Sequence, residues 1–178
     1  MGGVFKSTDS GSKWTACNDG LTDLSVLVLA IDHQTPSTLY AGTGAGLFKS
    51  IDGGESWNVS NLTGSPVRVF AIDPQVSETV YTGTFFELFK SMDGGANWVV
   101  ISTDFTDARL QTLAIDPQTP STLYAGGNGL FKSTDGGETW EPFNESLADS
   151  FVLTLAIDPR TPSTLYVGLL EGGVAVIR

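Results

Sequence analysis

The chain has 178 residues, 40% of them hydrophobic, with 21 Gly, 8 Pro and a formal net charge of −11. That length and apolar content suffice to bury a core, and the Gly and Pro content fits a turn-dense all-β protein rather than disorder. So acidic a surface repels phosphate backbones and anionic lipid, so neither nucleic acid nor membrane is expected as a partner; no apolar run is long enough to span a bilayer and no signal peptide is read at the start.

In chain order, the first strand signal is Val4-Phe5-Lys6-Ser7, which runs into Asp9, Gly11 and Trp14 and closes a partial unit over residues 1–24. A full unit over 25–65 follows: an apolar run ending Ala30-Ile31-Asp32, a Pro-containing turn, Leu39-Tyr40-Ala41-Gly42, a Gly-containing turn, Leu47-Phe48-Lys49-Ser50, then Asp52 to Trp57 and a polar connection. The same order returns over 66–107 with Asp93 and Trp98, over 108–149 with Asp135 and Trp140, and in part over 150–178, where the chain ends Gly173-Val174-Ala175-Val176-Ile177-Arg178. Short β-branched or aromatic runs with turn chemistry between them predict four strands per unit, A to D, and no segment sustains helical periodicity.

The tryptophans Trp14, Trp57, Trp98 and Trp140 lie 43, 41 and 42 residues apart, and Asp32, Asp73, Asp116 and Asp158 lie 41, 43 and 42 apart. A period near 42 over the whole chain, carrying four short antiparallel strands each time, predicts one β-propeller blade per unit and a single domain over 1–178. The strand order is C-D, three A-B-C-D sets, then A-B-C. Both ends supply a strand C, one more than a closed four-blade ring uses, so the chain is expected to be part of a larger ring, either as the C-terminal portion of a longer propeller or as a homodimer.

Between strands C and D the chain reverses within a few residues, which the glycines permit, while the aspartate accepts backbone N–H bonds inside the turn. The tryptophan beyond it buries ~150 to 250 Å², or about 4 to 6 kcal/mol gross at ~25 cal/mol/Å², and is the larger contributor. Ser-x-Asp-x-Gly-x-x-Trp with its Phe-Lys-Ser lead-in closely resembles the Asp-box, or BNR repeat, in all four copies. That resemblance implies a β-propeller of the kind found in sialidases, xyloglucanase-type glycoside hydrolases, sortilin-like receptors and photosystem II assembly factors, families often secreted or periplasmic. It implies that Asp9, Trp14, Asp52, Trp57, Asp93, Trp98, Asp135 and Trp140 are structural and lie away from the active face. The turns lack the alternating oxygen ligands of a calcium loop, so no metal and no cofactor are called for.

An active site needs an asymmetric group, so the informative positions are those where one unit departs from its siblings. Thr84-Phe85-Phe86-Glu87 replaces the Gly-rich B-C turn. Five residues before the strand A aspartate the units carry Leu27, Arg68, Gln111 and Leu153, and Asp104, Asp107 and Arg109 lie in the adjoining D-A connection. In an antiparallel meander all of these fall on one face, opposite the aspartate turns. Arg68, Phe85, Phe86, Glu87, Asp104, Asp107, Arg109 and Gln111 are therefore the candidate ligand-binding residues, an apolar platform with charged orienting groups. His33 replaces the Pro of its siblings and reads as a solvated turn residue. Cys17, alone, excludes an intramolecular disulfide and reads as a small buried side chain.

No catalytic residue is assigned. The arginine triad that the sialidase resemblance would require is not available from Arg68, Arg109, Arg160 and Arg178, because Arg160 sits in an A-B turn on the opposite face. A non-catalytic binding or scaffolding module for a protein or glycan is expected. The alternative is a fragment of a glycoside hydrolase with Glu87 and Asp104 or Asp107 as its paired carboxylates.

Overall fold

The computed structural model describes residues 2–103, 105 and 108–178. A hairpin of β1 (Phe5–Lys6) and β2 (Thr15–Ala16) precedes three four-stranded antiparallel sheets. The first is β3 (Val26–Ile31), β4 (Leu39–Thr43), β5 (Gly46–Ser50) and β6 (Asn58–Thr63); the second is β7 (Val69–Ile72), β8 (Val80–Gly83), β9 (Leu88–Ser91) and β10 (Val99–Ser102). The third comprises β11 (Thr112–Ile115), β12 (Leu123–Gly127), β13 (Gly129–Ser133) and β14 (Glu141–Pro142), and a three-stranded sheet of β15 (Val152–Ile157), β16 (Leu165–Leu169) and β17 (Val174–Ile177) follows. This is the predicted C-D, three A-B-C-D, A-B-C order.

The A strands are innermost, β3 against β7, β7 against β11 and β11 against β15. Register is the same in every sheet: Ala30 opposes Tyr40 and Tyr40 opposes Lys49, as Ala71, Tyr81 and Lys90 do in the next. A side-chain period of two then sends the strand B tyrosine and the strand C lysine to one face of the blade, toward the following sheet. Strand A residues such as Phe70 point the other way, and Phe70 stacks on Tyr40 of the preceding blade with ring centroids 4.5 Å apart.

The core is thus a series of layers between blades rather than one central cluster. Tyr40, Leu47, Val67 and Val80 fill one layer, and Val69, Leu88, Phe105, Leu110 and Ala125 fill another. Strand B glycines permit the close approach: a Cβ at Gly126 would collide with Val152 of the next blade, and one at Gly42 would lie 2.6 Å from Val67. Trp57, Trp98 and Trp140 pack backward on the preceding unit. Trp57 donates its indole N–H to the carbonyl of Cys17 at 2.9 Å, and Trp98 donates to the Ser60 hydroxyl at 3.1 Å. Trp14, with no preceding blade in the chain, is 62% exposed, unlike the buried anchor expected at every copy.

Three further local features differ from the sequence reading. The D strands β2 and β14 are only two residues long, whereas β6 and β10 at the same place in their sheets run to six and four. The D-A connection between β14 and β15 contains a 3-10 turn, Glu145–Leu147, capped by the Asn144 side chain. Cys17 is half-buried rather than enclosed, since β2 lies at a blade edge.

Candidate functional site

The aspartate turns share a face with the A-B turns: the backbone N–H groups of Gly53, Gly94 and Gly136 donate to the carbonyls of Ser37, Glu78 and Ser121 at 2.8–2.9 Å. Within each turn the serine hydroxyl donates to the aspartate at 2.7 to 2.8 Å and accepts from the N–H of Gly11, Gly54, Gly95 or Gly137. Those four glycines have φ between 87° and 91°, a region that suits a residue without a Cβ. The residue before them is also left-handed, and in the first copy it is Ser10 at φ 58° where the others have Gly.

The carboxylates are held as anions by these bonds. The Asn97 side-chain amide, its backbone N–H and the Ser91 hydroxyl depress Asp93 to about 2. Asp52 and Asp135 are lowered further, first by the Ser56 and Thr139 hydroxyls, and Asp9 is lowered chiefly by the Lys13 N–H. The hydrogen bonds they accept come from their own loops. Among the described residues no group of three or more His, Cys, Asp and Glu is arranged to hold a metal ion.

Two ladders run between blades on this side. Lys6 donates to the Gly53 carbonyl at 3.0 Å, Lys49 to Gly94 at 2.7 Å and Lys90 to Gly136 at 3.3 Å, and the Tyr40 hydroxyl joins Lys49 on Gly94 at 2.9 Å. In the A-B turns Gln34, Gln75 and Gln118 each donate to the carbonyls of the following turn, at 3.3 Å to Gln75, 3.2 Å to Pro117 and 3.2 Å to Pro159. His33 is exposed, with Nε2 3.1 Å from the Pro74 carbonyl, so it also reaches the next blade. The lysines and glutamines were visible only as repeated residues, and their even spacing was the available signal.

The opposite face carries the departures from the repeat. Arg68 and Gln111 extend strands A of successive blades, their N–H groups donating to the carbonyls of Gly83 at 2.9 Å and Gly126 at 2.8 Å. Phe85 lies half-buried in the adjoining B-C turn, and the Arg68 guanidinium sits 3.9 Å from its ring centroid. Arg68 Nε is buried without a hydrogen-bond partner, and the guanidinium stacks on the ring. Phe86 is 51% exposed, 6.0 Å from Phe85 between ring centroids, and Glu87 beside it is half-buried.

Thr84 builds this turn. Its hydroxyl oxygen accepts from the N–H groups of both Phe86 and Glu87 at 3.2 Å, and its own N–H donates to the Glu87 carbonyl at 3.0 Å. The Phe85 carbonyl accepts from Leu110 N–H at 3.3 Å, which ties the turn to the D-A connection of the next blade. Arg109, next to that bond, is exposed with φ 49°. Asp104 and Asp107 lie outside the described residues. The site is thus a stacked Arg-Phe pair beside a bare phenylalanine on a surface formed by two blades, with Thr84, named in the divergent turn but not among the candidate residues, as the residue that organises it. A threonine two and three residues before backbone donors in a turn was the signal for it.

No family model matches the sequence, and no curated protein does. Solved structures do. The chain superposes on an ancestral GH74 enzyme with a TM-score of 0.83 at 24% identity, covering 95% of this chain and 25% of that one. The GH74 xyloglucanase from Xanthomonas campestris gives 0.81 at 16% identity, covering 98% of this chain and 32% of the enzyme. YCF48 from Cyanidioschyzon merolae gives 0.72 at 13% identity, covering 98% of this chain and 62% of that protein. At these identities the likeness is one of fold, and the fold is the β-propeller. The chain spans about a quarter to a third of the length of the two GH74 proteins.

Proposed function

We propose that this chain is an Asp-box β-propeller module that binds a protein or glycan partner, without catalysis of its own, through the face carrying Arg68, Phe85, Phe86, Glu87, Arg109 and Gln111. The observation that carries this reading is the Arg68–Phe85 stack beside the exposed Phe86. An aromatic platform with a positioned cation suits a sugar ring or a partner's side chain, because stacking removes apolar area from water while the charge sets orientation. The aspartates of the turns accept from their own loops and the turn carbonyls from the preceding blade, which favours the opposite face as the recognition surface.

The test uses Arg68→Ala and Phe86→Ala chains against a glycan panel that includes xyloglucan oligosaccharides, and against protein captured from the source cell. Binding retained by both variants at unchanged affinity would remove this face from consideration. The second reading, a fragment of a glycoside hydrolase, draws on the fold shared with GH74 enzymes and on Glu87 with Asp104 or Asp107 as acids. Release of reducing ends from xyloglucan or β-glucan, lost in Glu87→Gln, would favour it over the binding module.

A further inference from the structure

The outer strand of the second four-stranded sheet is unlike its counterparts. Each D strand is last in its sheet and pairs with a strand on one side only. Such an edge offers N–H and C=O groups to a further strand unless the sequence blunts it. β14 is blunted by Pro142, which has no N–H, and β2 is two residues long. β6 carries Asn58, Ser60 and Asn61, and the Asn61 amide donates to the Ala96 carbonyl at 3.1 Å. β10 instead reads Val99-Val100-Ile101, with Val99 and Val100 63% and 47% exposed. These β-branched residues suit a paired strand better than a solvated one. A bulge between Val100 and Ser102 confines the regular edge to the start of the strand.

A groove lies along the same strand. Val99 opposes Lys90 of β9, and with Met92 and Ile101 they line an apolar cavity of about 340 Å³ between this sheet and the next aspartate turn. Asp93 and the exposed Glu138 of that next turn border it. The cation in its lining, Lys90, donates to the Gly136 carbonyl at 3.3 Å and lies 5.3 Å from the Tyr81 ring centroid, so its charge is directed into the junction. The apolar lining belongs to this blade: the corresponding walls carry Thr8 and Thr15 in the first unit and Thr134 and Glu141 in the third complete one.

We propose that this rim takes an extended, basic segment of a partner protein. The segment adds to the free edge of β10 at Val99 and Val100, lays apolar side chains at alternate positions into the groove, and sets a lysine or arginine beside Asp93 and Glu138. β10 leaves its aspartate turn at Val99, so an antiparallel segment reaches the acids with its C-terminal end and its base follows its apolar residues. The surroundings fix the sign of the occupant. Two carboxylates border an apolar floor on a chain of net charge −11, which attracts a cation and opposes a second copy of the same chain. In strand addition the backbone bonds supply affinity and the alternate pockets supply specificity. The D strands are the outer rim of the sheets, so this surface is separate from the Arg68 face and does not depend on it.

The test selects a displayed library of random linear peptides on the chain. Enriched peptides are expected to alternate apolar residues and to close in Lys or Arg. Their affinity, read by fluorescence anisotropy, should fall at least tenfold in Val99→Asn and in Glu138→Lys, and should weaken between about 50 and 500 mM salt. It should be unchanged in Phe86→Ala, which separates the rim from the Arg68 face. Hydrogen exchange at Val99 and Val100 should slow when peptide is bound. Enrichment of acidic peptides, no enrichment, or binding that survives both rim variants overturns the proposal. So does light scattering that shows a dimer abolished by Val99→Asn, because a second copy would then occupy the edge. Should Val99→Asn fail to fold, Glu138→Lys and the exchange measurement decide, and unchanged values in both overturn the proposal.

Discussion

Replacing Trp57 by Ala tests whether the layers between blades hold the fold. Trp57 is 3% exposed, packs among Val4, Leu21, Leu39 and Phe48, and donates its indole N–H to the Cys17 carbonyl. Truncation forfeits most of ~200 Å² of apolar burial, about 5 kcal/mol at ~25 cal/mol/Å², and partial collapse of the site brings the net cost to roughly 3 to 5 kcal/mol. Trp14 sits at the same place in its repeat but is 62% exposed, and the same arithmetic on the area it buries gives about 1 to 2 kcal/mol for Trp14→Ala. Urea titration followed by far-UV circular dichroism avoids dependence on the deleted fluorophore. Equal shifts for the two variants would refute the argument, because the motif alone and not packing between blades would then set the contribution.

Gly126→Ala should destabilise by about 1 to 3 kcal/mol, because its Cβ would press on Val152, while Gly172→Ala, which meets nothing, should cost only the strain of a positive φ; thermal melts of the pair decide. The four turn aspartates have folded pKa values below their unfolded value near 3.8, so the stability they contribute is complete above that value and is lost as pH falls toward 2. The urea midpoint should therefore drop between pH 4 and 2, with a shallower drop in Asp93→Asn, and a flat profile would contradict the hydrogen bonds described. Phe86→Ala should cost about 1 to 2 kcal/mol in the urea titration, since the ring is half in solvent, while reducing partner binding at least tenfold; a loss as large as that expected at Trp57 would recast Phe86 as structural.

The blade order was legible because a repeat states its own rule four times. Period, turn glycines and alternating apolar strands all point to the same four-stranded unit, and agreement among them leaves little room for another fold. The position of the candidate site was legible for a related reason: Arg68 and Phe85 break a rule that their siblings keep. Their stacking was not, since it depends on how a side chain at a strand end leans over a turn 17 residues away. Thr84 was read as part of the divergent turn but given no role, because a hydroxyl that accepts two backbone N–H bonds looks like any other polar turn residue until the turn is closed.

By itself the sequence determined the all-β class, the strand count, and which residues recur. Local chemistry sufficed for that, because a turn needs its glycine and aspartate within a few residues of each other. Only the tertiary structure decided what the recurring residues are for. Lysine, tyrosine and glutamine act across blades, on carbonyls 41 to 54 residues away, and the partner of each is chosen by the stacking of sheets. For the same reason equivalent residues differ at the ends of the arc, where Trp14 and Tyr166 lie open although their siblings are covered.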